Sequence, residues 1–278
     1  MFTSVNSFKA QIKNIAKEKG IAAQQVQQHY LIEQVLKLIA KSRYKNTFIV
    51  KGGYLIGQLI GLERRTTMDL DVTLKGQTLT PERITAIFSE ILTSSSDEFS
   101  FEIDRVDPIR QDDEYGGFSL KLIASFGTLK EVVFIDITTG DAITPKEISY
   151  TLASLFNHEP IEIWTYNLET ILSEKLETII SRGLASTRPR DRYDLFTLYH
   201  LRKNEIDFDV LQQALHNTAQ KRGTLSQIAS WIDQINGIET SDYQHQLWSR
   251  YQKQFPYAKT ISFEESVMVI QQIMQHII

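Results

Sequence analysis

The segment TFIVKGGYLIGQLIGL, residues 47–62, constrains the fold more than any other part of the chain. A short apolar stretch runs into a glycine pair, and Leu55, Ile56, Leu59 and Ile60 then share one helical face. This is a strand that turns through Gly52-Gly53 into a helix. Backbone amides at such a helix start, uncovered by side chains, form a corner that suits a triphosphate. An ordinary glycine turn between strand and helix accounts for the same residues.

Asp69 follows Gly53 by 16 positions, inside MDLDVTL. By strand alternation Leu70 and Val72 point one way, and Asp69, Asp71 and Thr73 the other. The two carboxylates then lie roughly 6–7 Å apart along the strand, since each residue rises ~3.3 Å. That separation suits a magnesium ion, which takes oxygen ligands and leaves room for phosphate. A solvent-facing pair would carry no function, so the DxD pattern alone is a weak signal. Asp136, inside the apolar VVFIDIT, needs either a metal or a basic partner, because burying a lone carboxylate is costly.

Further strands are read at SFEIDRV, FSLKLIAS and EVVFIDIT, the last two joined as an antiparallel hairpin through Gly127-Thr128. Val26, Tyr30, Ile32, Val35, Leu36 and Ile39 make residues 1–45 helical, and Thr80-Pro81-Glu82 starts another helix. Thr93-Ser94-Ser95-Ser96 reads as a short polar loop. From about residue 150 the pattern is helical without a convincing strand, broken by loops at 182–189 and near Gly237. Val267, Ile270, Met274 and Ile277 mark the final helix. The expected architecture is α+β: a sheet domain with N-terminal helices over 1–148, and a mostly helical domain over 149–278.

Two stripes in the helical half are broken by charges. Lys175 occupies the stripe formed by Leu168, Ile171, Leu172, Leu176, Ile179 and Ile180, where a hydrophobe belongs. Asp191 and Asp194 share a face with Leu195 and Leu198. An interhelical ion pair and the wall of a cleft both explain such placement.

Composition narrows the classes. Of 278 residues, 42% are hydrophobic and 23% charged, as in soluble globular proteins. The absence of cysteine rules out disulfides and thiolate metal sites, and fits a reducing, cytoplasmic setting. The first residues lack a signal-peptide core, and no apolar run approaches the ~20 residues that a membrane span requires. A net charge of −4 argues against a general nucleic-acid coat but leaves room for a local basic patch. The six histidines lack zinc-site spacing, and no P-loop or dinucleotide fingerprint occurs.

Taken in order, KGGYLIGQLIGLERRTTMDLDV, VVFIDIT, LETILSEKLETII and RPRDRYDLFTLYHL resemble the AbiEii/AbiGii toxin family over about residues 48–202. These are toxins of bacterial abortive-infection toxin–antitoxin systems, which act in phage defence. The resemblance implies a DNA polymerase-β-like nucleotidyltransferase domain with a small mixed sheet, followed by a mostly helical domain. It implies metal and triphosphate binding at Gly52, Gly53, Asp69 and Asp71, with Thr67 two positions ahead of the first aspartate. The family's helical lysine matches Lys175, its next acidic residue matches Asp191 with Asp194 near, and Asp136 matches the third carboxylate by context. Tyr54 departs from the small hydroxyl residue usual after the glycines, which puts a side-chain contact to phosphate there in doubt.

The implied reaction moves NMP from an NTP to an acceptor with Mg2+ or Mn2+, the acceptor being the 3′ end of tRNA, so that translation and growth stop. An antitoxin encoded nearby is the implied partner, and the lack of a coiled-coil seam favours a monomer. Arg64 and Arg65 fit either triphosphate contact or a solvated surface. Arg182, Arg188, Arg190 and Arg192 fit either a grip on phosphates or ordinary helix and loop charges. Two other readings stay open: a GTP-binding toxin that transfers nothing, and a nucleotidyltransferase acting on a protein or small molecule.

Overall fold

The computed structural model describes residues 2–93, 99–109, 116–156 and 159–278. Ser94, Ser95 and Ser96 of the expected polar loop lie outside them. The chain divides into two compact units, 1–140 with 148–165, and 141–147 with 166–278.

In the first unit, α1 (Val5–Lys19) starts where the Ser4 side chain accepts from the Ser7 amide, and it ends at Gly20 in a left-handed cap with φ 65°. It buries Phe8, Ile12 and Ala16, one helical face, while α2 (Ala23–Lys41) is buried along most of its length. Glu33 of α2 is nevertheless charged and buried. It accepts from Ser154 Oγ and the Leu155 amide, each at 2.8 Å, and pairs with Lys37 at 3.1 Å.

The chain then forms β1 (Phe48–Lys51), α3 (Gly52–Ile60), β2 (Asp69–Leu74) and α4 (Pro81–Ile91). Thr80 caps α4 by accepting from the Arg83 amide, with Pro81 in the first turn, as the sequence predicts. Next come β3 (Ser100–Ile109), β4 (Gly117–Phe126), β5 (Leu129–Thr139), β6 (Ile148–Leu152) and β7 (Ile161–Thr165). The seven strands form one mixed sheet in the order β3-β4-β5-β2-β1-β7-β6. β4 and β5 make the expected hairpin through Gly127-Thr128, where Gly127 takes φ 54°. β2 is parallel to β5 and antiparallel to β1. Leu70, Val72 and Leu74 of β2 join Val133, Ile135 and Ile137 of β5 in the core. The opposite face carries Asp69, Asp71 and Thr73 of β2 and Asp136 and Thr138 of β5, together with the exposed Phe134.

β6 and β7 correct the expectation of helix alone after residue 150, and the sheet unit therefore reaches Thr165. β6 buries only Leu152 of its five residues, so no apolar alternation announces it. β7 does alternate, burying Ile161, Ile163 and Thr165, but it is equally short.

The second unit consists of α5 (Leu168–Arg182), α6 (Pro189–Arg202), α7 (Phe208–Lys221), α8 (Leu225–Ala229), α9 (Trp231–Glu239), α10 (Asp242–Gln254) and α11 (Phe263–Ile277), with short 3-10 turns between some of them. Asn167 starts α5 by accepting from the Thr170 amide at 2.8 Å, and its amide group donates to Thr144 O and Lys146 O. Gly237 lies within α9 rather than in a loop, and the helix gives way at Thr240. Among the described residues, no helix is long and apolar enough to cross a membrane.

Candidate active site

Strand register brings together residues that lie far apart in sequence. Lys51 of β1 stands opposite Asp71 of β2, and Asp71 stands opposite Asp136 of β5. Paired residues share a face of the sheet, so the three side chains form a row across β1, β2 and β5. Thr73 and Thr138 form the next row on the same face, and Asp69 with Phe134 the row on the other side.

The glycine pair meets this row directly. Gly52 has φ 66°, and a Cβ there would lie 1.9 Å from Asp71 Oδ2, so no side chain can be accommodated. The Gly53 amide, at the start of α3, donates to Asp71 Oδ2 at 3.4 Å, and a Cβ on Gly53 would lie 2.8 Å from Thr67 Oγ1. Thr67 in turn donates its hydroxyl to Asp69 Oδ1. Burial raises the Asp71 carboxyl to about 6, with neighbouring Asp69 and Asp136 adding to the rise and Lys51 and the Gly53 amide opposing it.

As the side chains stand, the described residues include no group of three or more His, Cys, Asp or Glu that could hold a metal ion. Asp69 is turned to Thr67 and Asp71 to Gly53. The donor chemistry still fits a hard divalent cation. Asp69, Asp71 and Asp136 share one sheet face by register, and hard carboxylate oxygens are the donors such a cation takes.

Tyr54 points away from this corner. It is buried, its ring stacks on His29 with centroids 4.6 Å apart, and its hydroxyl accepts from Gln58 Nε2 at 3.4 Å. The arginines before β2 behave differently from each other. Arg64 donates to Ile60 O at 3.0 Å and pairs with Glu63 at the surface, whereas Arg65 is buried with its guanidinium beside Gly53.

In the second unit, Lys175 of α5 reaches Asp191 Oδ1 at 2.6 Å and Asp194 Oδ2 at 2.8 Å on α6. Asp194 is fully buried and Lys175 is 13% exposed as a side chain. Arg188 Nε adds a contact to Asp191 Oδ2 at 3.0 Å. The structure therefore brings Lys175, Asp191 and Asp194 together in the interhelical ion pair that the sequence allowed.

The arginine cluster disperses. Arg192 is 1% exposed, donates to Gln244 Oε1 at 2.8 Å and lies over the rings of Trp248 and Phe263, so it cannot grip an acceptor. Burial lowers its pKa to about 10, against the opposing pull of Asp191. Arg190 lies over the Phe255 ring, and Arg182 closes α5.

Lys51 escaped the sequence reading. A lysine at a strand end beside glycine resembles a solvent-facing residue, yet it is buried and donates from Nζ to Thr138 Oγ1 at 2.8 Å. Its one sequence signal is that it interrupts the apolar run FIVK just ahead of the glycines.

The family model of the nucleotidyl transferase AbiEii toxin, type IV toxin–antitoxin system, matches residues 34–268. Two crystal structures from H. pylori are similar in fold: a provisionally assigned nucleotidyltransferase and the protein JHP933. Each has a TM-score of 0.50 at 15% identity and covers 92% of this chain, with 97% of the first and 94% of the second matched. At that identity the likeness concerns the fold alone. No curated protein sequence matches the chain.

Proposed function

This chain belongs to the AbiEii nucleotidyltransferase toxin family of type IV toxin–antitoxin systems, and from that premise we propose that it transfers NMP from an NTP to the 3′ end of tRNA, in a reaction dependent on Mg2+ or Mn2+. The observation that carries the proposal is the in-register placement of Asp71 and Asp136 beside a glycine corner that no side chain can fill. In the reaction the acceptor oxygen bonds to the α-phosphorus while the bridge to pyrophosphate breaks.

Asp69, Asp71 and Asp136 are the residues that would hold the metal, which when bound supplies positive charge to the attacking and leaving oxygens. Thr67 orients Asp69 through its hydroxyl. Gly52 and Gly53 let a triphosphate approach the backbone, and the Gly53 amide can exchange Asp71 for a phosphate oxygen. Asp136 would either join the other two on the metal or help take the proton of the acceptor hydroxyl. The family's nucleotide-binding lysine matches Lys175 in the second unit, a compact charge suited to phosphate, and Asp191 and Asp194 hold its ammonium in place. Modification of tRNA would block translation and growth, and a cognate antitoxin would relieve that block.

The test incubates the protein with each α-labelled NTP, Mg2+ and total RNA, beside an Asp69→Ala/Asp71→Ala control. Label in tRNA with wild type only is the expected result. Label in protein or a small molecule would replace the acceptor, and GTP binding without label in any acceptor would replace transfer by sequestration.

A further inference from the structure

Lys51 has no role in the chemistry above, yet it shares the row of Asp71 and Asp136 and its charge acts on Asp71. Across β5, β2 and β1 the row reads Asp136, Asp71, Lys51, or minus, minus, plus. The buried side chain does not rise to solvent, as a lysine at a strand end can do. It is laid across β2, so that Nζ donates to Thr138 Oγ1 at 2.8 Å, two strands away on β5 and two residues beyond Asp136. Like charges on adjacent strands destabilise a sheet, and a compact ammonium among them offsets the repulsion.

We propose that Lys51 is the resident counter-cation of the carboxylate face: it holds β1, β2 and β5 in register when no metal is bound, and it weakens the hold of the site on a divalent cation by competing for the same charge. The inference rests on the reading of that face as a divalent-cation site. Its consequence is a trade. Without the lysine charge the metal-free protein is less stable, while the two acids attract a cation more strongly. A lysine that served packing alone would change stability equally with and without metal.

Thermal melting of wild type, Lys51→Met and Lys51→Arg in chelator, and then across a Mn2+ titration, separates these outcomes. Lys51→Met keeps the apolar stem and removes the charge. It is expected to melt lower than wild type in chelator, to recover most of the loss in saturating Mn2+, and to reach its half-maximal shift at a Mn2+ concentration on the order of tenfold lower. Lys51→Arg, which keeps the charge, is expected to retain the wild-type midpoint. A Lys51→Met midpoint equal to or above that of a metal-responsive wild type overturns the proposal and leaves the cation site standing. A wild type whose melting ignores both Mg2+ and Mn2+ overturns the cation site and the proposal together. If Lys51→Met fails to fold in chelator, folding on addition of Mn2+ supports the proposal. If it folds in neither condition, the Lys51→Met/Asp136→Asn double variant decides, because its row keeps a single acid: a restored cooperative melt in chelator supports the proposal and continued failure overturns it.

Discussion

At the scale of single residues, Gly52 is constrained twice, by a left-handed backbone and by Asp71 Oδ2 where a Cβ would be. Gly52→Ala must therefore displace the carboxylate as well as strain the chain, at a cost of about 1–3 kcal/mol. Its labelled-transfer activity is expected to disappear while a cooperative melt persists at lower temperature. Gly53→Ala should be milder, because its backbone is not left-handed and the added Cβ would stand 2.8–3.0 Å from Thr67 Oγ1, Thr67 Cβ and Arg65 Nη2 instead of 1.9 Å from a carboxylate oxygen. Equal loss of activity in the two variants would count against a specific role for Asp71.

His29 is a different case, buried in the core of the sheet unit and stacked on Tyr54. Burial first, with a smaller contribution from Lys19 and against the opposing effect of Glu33, lowers its pKa from 6.5 to about 4. The unfolded chain then binds the proton more readily than the folded one, so stability is intact above pH ~6.5 and declines as the pH falls towards 4. The full effect is on the order of 3 kcal/mol. Urea unfolding of wild type and His29→Gln at several pH values across that window should show a shallower decline in the variant. Parallel curves would reject the assignment.

At the residue scale Asp69, Asp71, Gly52 and Gly53 were legible because strand alternation and a glycine pair are local signals. Lys51 was not, since its meaning depends on which strand lies beside β1 and how that strand is registered. The direction of Tyr54 was equally hidden. In sequence it stands where a small hydroxyl would face phosphate, but as the third residue of α3 it falls on the buried side of that helix.

Among elements, α5 and α6 show how a polar contact can be read from periodicity alone. Lys175 interrupts an apolar stripe on one helix, and Asp191 and Asp194 interrupt another, and the three meet. The same pattern did not say whether the contact serves structure or chemistry. A double-mutant cycle addresses that question. Lys175→Met alone leaves two buried acids without their lysine, at a cost of about 3–5 kcal/mol, whereas Asp194→Asn leaves Lys175 paired with Asp191 and costs less. The double variant should regain part of that stability, as judged by urea unfolding, yet remain inactive in labelled transfer. Activity in the double variant would reduce the triad to a structural ion pair. β6 and β7 mark the limit of periodicity at this scale: β6 has one buried side chain in five residues, and the alternation of β7 is too short to announce a strand.

For the whole molecule, net charge and the fate of the arginines bear on how an RNA acceptor could be held. The chain carries 30 basic and 34 acidic residues, so its overall field does not attract a polyanion. Of the four arginines that the sequence placed at a possible phosphate grip, Arg192 is buried on aromatic rings and Arg188 is paired with Asp191. Arg182 and Arg190 are left to meet phosphates. With roughly two contacts to a single strand, log KM for RNA should rise with log salt at a slope of about 1.4, or about sevenfold between ~50 and ~200 mM salt. A broad basic footprint would give a slope above ~4 over the same range. Initial rates at varied RNA and KCl, with the NTP saturating, measure the slope directly. Arg190→Ala should lower it by about 0.7 if that residue holds a phosphate. An unchanged slope in that variant, with a steep slope in wild type, would place the acceptor on a surface other than the α5–α6 arginines.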